Sequence, residues 1–390
     1  MAAAAIALCF PMTILSLQGS DTGCVGLWLL SSLWLYRRRE ASHPWSLALF
    51  ALLSLGLVLR VDSVLVIAPF LALAGRSAMR FRRHLLVGTG LLGLVLLGIL
   101  LFQWSYFGDP LPNTYYLKAF GQPRGMMLWF GTRQLLVWLP FALPALGCAA
   151  YATARHARRP LVQLCAGCFA TSAADHLWVG GDLQPFYGSR FLIPAISLLL
   201  ILSAIGIHDG AEVAFRGKPL GLRFAIATLS FAVIALLSNG PTADREILSR
   251  GSDTFLKSYN ERNLASALYY RTHTDASTSI GLHWAGLISY FAERPVRDLL
   301  GKSDPYIAHM EVDRFQPGHS KWDWDYVLHT MRPDIIDQES RGLLQRADFQ
   351  ELYVRAQPAH APYFFVRRDK VDLLDRRDLT LTDVPPPAND

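Results

Sequence analysis

Nine runs of apolar residues fill the first 239 positions, near 2–17, 23–36, 45–59, 63–75, 84–105, 126–151, 160–178, 190–207 and 223–239. No other feature narrows the choice of fold so far. Inside a bilayer a peptide group has no water to bond, so its N–H and C=O must be satisfied within the segment; the runs therefore predict helices. A full crossing takes ~20 residues. The second, third and fourth runs are shorter, which fits tilted pairs, re-entrant segments or helices longer than their apolar cores. Charge divides the chain at the same place. Residues 1–239 hold 8 of the 31 Asp and Glu and 18 of the 37 Lys and Arg, a net of +10. Residues 240–390 hold the other 23 acids against 19 bases, a net of −4. The basic excess flanks the apolar runs and is no sign of a nucleic-acid partner.

The loops between the runs alternate in character. Arg37-Arg38-Arg39, Arg76 with Arg80-Arg82-Arg83, Arg155 with Arg158-Arg159, and Arg216 with Lys218 and Arg223 fall on one side if all nine runs cross. Lysine and arginine mark the cytoplasmic side. The loops at 18–22, 60–62, 106–125 and 179–189 then face outward, with membrane lipids around the helices and the C-terminal 150 residues outside. This predicts an α-helical polytopic membrane domain of about nine segments over 1–239, then a small outward-facing α/β domain over 240–380 and a disordered, proline-rich tail over 381–390. In the second domain, 252–273 reads as a helix and Ser277–His283 as a strand. Ala285–Phe291 follows as a short helix, Pro295–Leu300 as a strand, Trp322–Met331 as a helix and Asp334–Asp337 as a strand. Glu351–Arg355 and Tyr363–Arg367 close the domain as strands. Strands alternating with helices give the α/β class. Cys165 and Cys168 form a C-x-x-C inside an apolar run with no second pair, which reads as helix packing.

The outward loops hold the residues suited to chemistry. Phe107–Lys118 is polar, aromatic and stiffened by Pro110 and Pro112. It offers Asp109, Asn113, Tyr115, Tyr116 and Lys118, either to a ligand or to the headgroup layer, where tyrosines sit in any case. Gly180-Gly181 turns the chain before Asp182, and Arg190 opens the next helix. Its planar fork suits a lipid phosphate or merely the headgroups. Asp175 and His176 lie just before that loop, as a functional pair or a structural one. Arg60 and Asp62 interrupt an apolar stretch and either serve a site or tie two short helices together. Asp21 either serves a site or caps the helix that follows it. In the soluble region His283, Asp298, Asp304, His309, His319 and Lys321 occupy loop-like positions, and their spacing fits no strong zinc pattern. A mixture of surface and domain-packing roles suits them, and His319 and Lys321 are also candidates for contact with an acceptor or with the membrane module.

At these loops the chain resembles the GT-C class of polytopic glycosyltransferases, and more narrowly bacterial proteins related to the mycobacterial terminal arabinofuranosyltransferase and to ZomB. Gly19–Thr22, Leu59-Arg60-Val61-Asp62, Phe107–Lys118, Gly180-Gly181-Asp182 and Arg190-Phe191-Leu192-Ile193-Pro194 carry the likeness. Asp298–Gly301, Asp304–His309, Gly318–Lys321 and Arg332-Pro333-Asp334 continue it in the same order. The resemblance implies sugar transfer from a polyprenyl-phosphate donor to a glycan or glycolipid acceptor, on the outer side of a bacterial inner membrane. Asp21, Asp109 and Asp182 would then be the acids that act on sugar or acceptor hydroxyls. Arg60, Lys118 and Arg190 would be the cations for the departing phosphate, with Asp62, Asn113, Tyr115, Tyr116, His319 and Lys321 as further binding groups. No cofactor is specified, and divalent-metal assistance stays open. The family's acidic catalytic motif after its first helix would precede what is Met1 here, so the resemblance covers a middle and a C-terminal part. A non-catalytic protein that binds glycan or lipid carrier is the alternative.

Overall fold

The computed structural model describes residues 21–39, 45–76, 78–182, 191–237, 255–284, 286–337, 342–375 and 377–384. The first apolar run lies outside them. The chain forms two compact units. One takes residues 1–111 and 123–248, the other 112–122 and 249–390.

The first unit is helical: α1 (Thr22–Arg39), α2 (Leu47–Leu59), α3 (Ser63–Arg76), α4 (Ala78–Phe107), α6 (Arg124–Arg155), α7 (Pro160–Trp178), α8 (Ile193–Ala214) and α9 (Leu220–Leu237). Local chemistry fixes several ends. Ser46 caps α2 by accepting from the Leu49 N–H at 3.4 Å, and Pro160 opens α7, where a missing N–H costs nothing. Among the described residues, three helices are long and apolar enough to cross a membrane, within Arg82–Phe107, Arg124–Arg155 and Ile193–Ala214. Leu47–Leu59, Ser63–Arg76 and Leu220–Val233 are shorter apolar helices. These features describe a multi-pass membrane protein. The crossing windows of α4 and α6 leave most of their apolar side chains uncovered, as lipid-facing helices do, whereas that of α8 is mostly buried. α8 packs on α1, α6, α7 and α9. Its contact with α6 is close because of Gly206: a Cβ there would meet the Cys148 carbonyl oxygen at 2.1 Å. Cys165 and Cys168 are buried in the helical core, as their apolar run predicts.

The second unit begins with α5 (Asn113–Ala119) and resumes at α10 (Phe255–His273). There follow β1 (Ile280–Leu282), α11 (Leu287–Phe291), β2 (Val296–Asp298), α12 (Pro305–His309), a π-helical turn at Tyr326–Met331, β3 (Ile335–Ile336), α13 (Ala347–Leu352), β4 (Tyr353–Pro358), β5 (Phe364–Arg367) and β6 (Leu379–Asp383). The sheet order is β2-β1-β3-β5-β4-β6. β2, β1 and β3 run parallel, and the β3–β5, β5–β4 and β4–β6 pairs are antiparallel. Successive strand residues face opposite sides, so the sheet has two cores. Ile335, Val354, Phe364 and Val366 pack with Ala267 and Tyr270 of α10. Ile336, Tyr353 and Phe365 pack on the other side with Val327, Leu328 and Phe349.

The α/β reading of this region holds, with adjustments. The strand expected at Glu351–Arg355 starts two residues later, because α13 runs to Leu352. The tail expected to be disordered from 381 instead gives Leu381–Asp383 to β6, in register with Val354–Ala356 of β4. Alternation of leucine and threonine from Leu379 to Thr382 suits that edge position. The boundary at 239 also misses residues 112–122, which fold with the C-terminal unit.

Candidate functional site

Two groups of polar side chains stand out, one in each unit. In the helical unit the centre is Arg60, in the turn between α2 and α3. Its Nε donates to Asp62 Oδ1 at 2.9 Å and an Nη donates to the other carboxylate oxygen, a two-point fork. The remaining Nη lies 3.4 Å from Asp21, just ahead of α1. Asp175, near the end of α7, adds its field to the group, and the Phe191 ring, at the start of α8, lies 5.7 Å from the guanidinium carbon. Burial disfavours charge on Arg60, yet its hydrogen bonds to Asp62 and the fields of Asp62, Asp21 and Asp175 outweigh it and raise its pKa. Two carboxylates thus contact one guanidinium, and the field of a third reaches it. Asp21 and Asp62 keep side-chain exposures of 50% and 39%, so their outer oxygens can accept hydrogen bonds from hydroxyls in solution.

The helix ends that gather here come from segments far apart in sequence and bring Asp21, Arg60 and Asp62 together. The structure adds Asp175. Arg60 is engaged by carboxylates, so an incoming phosphate would have to compete with them. The Asp182 turn is fixed separately. Its N–H donates to Gln134 Oε1 at 2.9 Å and its carbonyl accepts from Gln134 Nε2. Gly181 adopts φ +83°, and a Cβ there would meet the Gln134 oxygen at 2.3 Å, so this turn demands glycine. Asp109 occupies the turn that follows α4. Arg190 lies outside the described residues.

In the second unit the motif around Asn113 has a structural task. The Asn113 amide donates to the carbonyls of Gly301, Lys302 and Asp304 at 2.9, 3.0 and 3.4 Å. Tyr116 stacks on His309, with ring centroids 4.1 Å apart, and Tyr115 is edge-on to Tyr116. Lys321 is wholly buried and donates to the carbonyls of Tyr116 at 2.9 Å and Ala308 at 2.5 Å. Burial pushes its pKa down to about 8 against the opposing field of Glu311. The Gly121 carbonyl accepts from Val312 N–H at 2.8 Å. Asn113, Tyr116 and Lys321 therefore tie α5 to the loops after β2 and before the π-helical turn. Lys118 lies near the end of α5.

Those loops surround residues that follow β1. His319 stands edge-on to Trp284 at 4.4 Å between centroids, and Lys302 Nζ lies 5.5 Å from the same indole. Sequence reading noted His283 and His319 and passed over Trp284 and Lys302. The available signal was a bulky aromatic just after a predicted strand, where a parallel sheet places its ligands.

One further cluster, Asp325, His329 and Asp348, has the donor types for a metal ion. Arg346 bonds both carboxylates there and already supplies their counter-charge.

Residues 255–374 match the model of a domain of unknown function, DUF8728. No curated protein and no solved structure matches the chain.

Proposed function

We propose that the chain is an integral-membrane glycosyltransferase that moves a sugar from a polyprenyl-phosphate donor to an envelope glycan or glycolipid on the outer side of a bacterial inner membrane. The Arg60 group carries this reading. A sugar-transfer site needs a carboxylate placed to take a proton from the acceptor hydroxyl. Asp21 is half-exposed and held 3.4 Å from Arg60. Asp62, locked in the guanidinium fork, is rigid enough to orient a sugar hydroxyl. The collinear motifs described above support the same chemistry.

The second unit supports the sidedness. Residues 112–122 and 249–390 fold together, so they share one side of the membrane. The four helices between them, α6 to α9, meet that condition if each crosses. The arginine-rich loops then put this unit outside.

Purified protein supplied with a polyprenyl-phosphate sugar and an acceptor tests the proposal. Donor-dependent product is expected, falling by about 100-fold or more in Asp21→Asn, the usual scale for loss of a general base. Product formed at an undiminished rate by Asp21→Asn would remove that residue's role. The closed Arg60–Asp62 fork favours one second reading, a non-catalytic protein that holds glycan or carrier lipid. Donor binding without turnover by the unaltered protein would establish it in place of the first.

A further inference from the structure

The sheet of the C-terminal unit offers a second place for recognition, built from residues that the Arg60 group does not use. β1 is flanked by β2 on one side and β3 on the other, all parallel. The chain leaves β1 for one flank and then crosses to the other. Open α/β sheets bind ligands beyond the carboxyl ends of strands at such a reversal. His283 and Trp284 come directly after β1, and Lys302 lies in the loop after β2.

The side chains there form a platform with a polar rim. Trp284 remains 39% exposed. Tyr259 is edge-on to it at 6.3 Å and His319 at 4.4 Å, while Lys302 Nζ approaches within 5.5 Å. His283 is buried, with its ring 5.8 Å from Trp324. Trp324 is itself 92% buried, and its Nε1–H finds no acceptor. A buried indole donor without a partner is uncommon in a finished core.

The rim is held from behind. Asn113 fixes the backbone carbonyls of Gly301 and Lys302. Lys321 anchors the loop two residues beyond His319, and Ser320 Oγ both donates to the Gln316 carbonyl and accepts from its N–H. Preorganised loops around an exposed indole are what a small ligand needs for tight binding, because little is left to order when it arrives.

The chemistry of the platform selects its ligand. An exposed indole face takes a flat apolar surface, such as the C–H face of a pyranose. A lysine beside it takes an anionic substituent, and an imidazole takes hydroxyls. We infer that Trp284, Lys302 and His319 bind a saccharide carrying a carboxylate or phosphate group, with the sugar ring on Trp284 and the anion toward Lys302. The choice of a saccharide over another flat anion rests on the glycosyl-transfer reading.

Calorimetric titration of the full chain in zwitterionic nanodiscs, with no donor lipid present, tests this using glucuronic acid, glucose and inorganic phosphate. Glucuronic acid is expected to bind saturably and about tenfold more tightly than glucose or phosphate. Trp284→Ala should weaken it by about tenfold, and Lys302→Gln, a change at a half-buried position, should erase the preference over glucose. Absence of saturable glucuronic acid binding would overturn the inference. So would unchanged affinity in Trp284→Ala, an intact preference in Lys302→Gln, or phosphate binding as tight as glucuronic acid. The titration contains no donor lipid and reads binding alone, so its failure and the failure of sugar transfer are distinguishable.

Discussion

Asn113 shows how one amide can hold a loop. Its nitrogen faces three carbonyl oxygens, an arrangement that only a donor satisfies. Asn113→Ala removes those bonds from a partly buried place and should lower stability by about 1–3 kcal/mol. Asn113→Asp should cost more, because a carboxylate has no donor to give and would face the same carbonyls. Thermal unfolding of the two variants beside the parent gives the ranking. His283 sets a pH dependence. Burial, helped by the nearby His319, holds its pKa down at about 4 against an ordinary 6.5. The unfolded chain takes up a proton near 6.5 and the folded chain only near 4, so stability rises with pH across that window. Acidification through it should remove on the order of 3 kcal/mol. His283→Gln should flatten the slope in urea unfolding followed from pH 4 to pH 7. Asn113, Tyr116, His319 and Lys321 were all legible in the sequence as unusual polar or aromatic residues. Their partners were not. Asn113 meets Gly301 across 188 positions and Lys321 meets Tyr116 across 205, and a single sequence carries no record of such pairings. Local chemistry offers Asn113 to a ligand or to the headgroup layer, and the fold uses its amide as a buttress.

At the scale of elements, packing is written in small residues. α8 approaches α6 through Gly206, and the atom in the way of a Cβ is a backbone carbonyl that cannot swing aside. Gly206→Ala should destabilise the helical unit by about 1–3 kcal/mol through overpacking. Gly210, one turn further along α8, has nothing within 4 Å of a built Cβ, so Gly210→Ala should be neutral or stabilising by up to about 1 kcal/mol through helix propensity. Detergent-solubilised melting curves separate the two. The apolar helices were readable because hydropathy reports them directly, and the parallel strands because they are short apolar segments between turn signals. The π-helical turn at Tyr326–Met331 was expected as an ordinary helix from Trp322. Hydrophobic spacing does not distinguish the two over a single turn. β6 was hidden by its position beside a proline-rich end, although Leu379 and Leu381 alternate with Thr380 and Thr382 as a strand requires.

The whole molecule divides by solvent. One unit is built of apolar helices, three of the described ones long enough to cross a bilayer. The other is a six-stranded sheet that recruits residues 112–122 from between two of those helices. That recruitment was the least legible feature of all, since composition places the segment in a membrane loop and only tertiary contacts assign it elsewhere. It is also the most consequential, because the proposed sidedness requires Pro110, beside the recruited segment, and Tyr290, in α11, to share one face of the membrane. The proposed chemistry depends on that face being the outer one. The most direct test labels single cysteines from outside intact cells in a cysteine-free background, using Pro110→Cys, Tyr290→Cys and, in the arginine-rich loop before α7, Arg158→Cys. A membrane-impermeant maleimide should modify the first two and reach the third only after the membrane is opened. Modification of Arg158→Cys in intact cells, or of only one of the other two, would contradict the account.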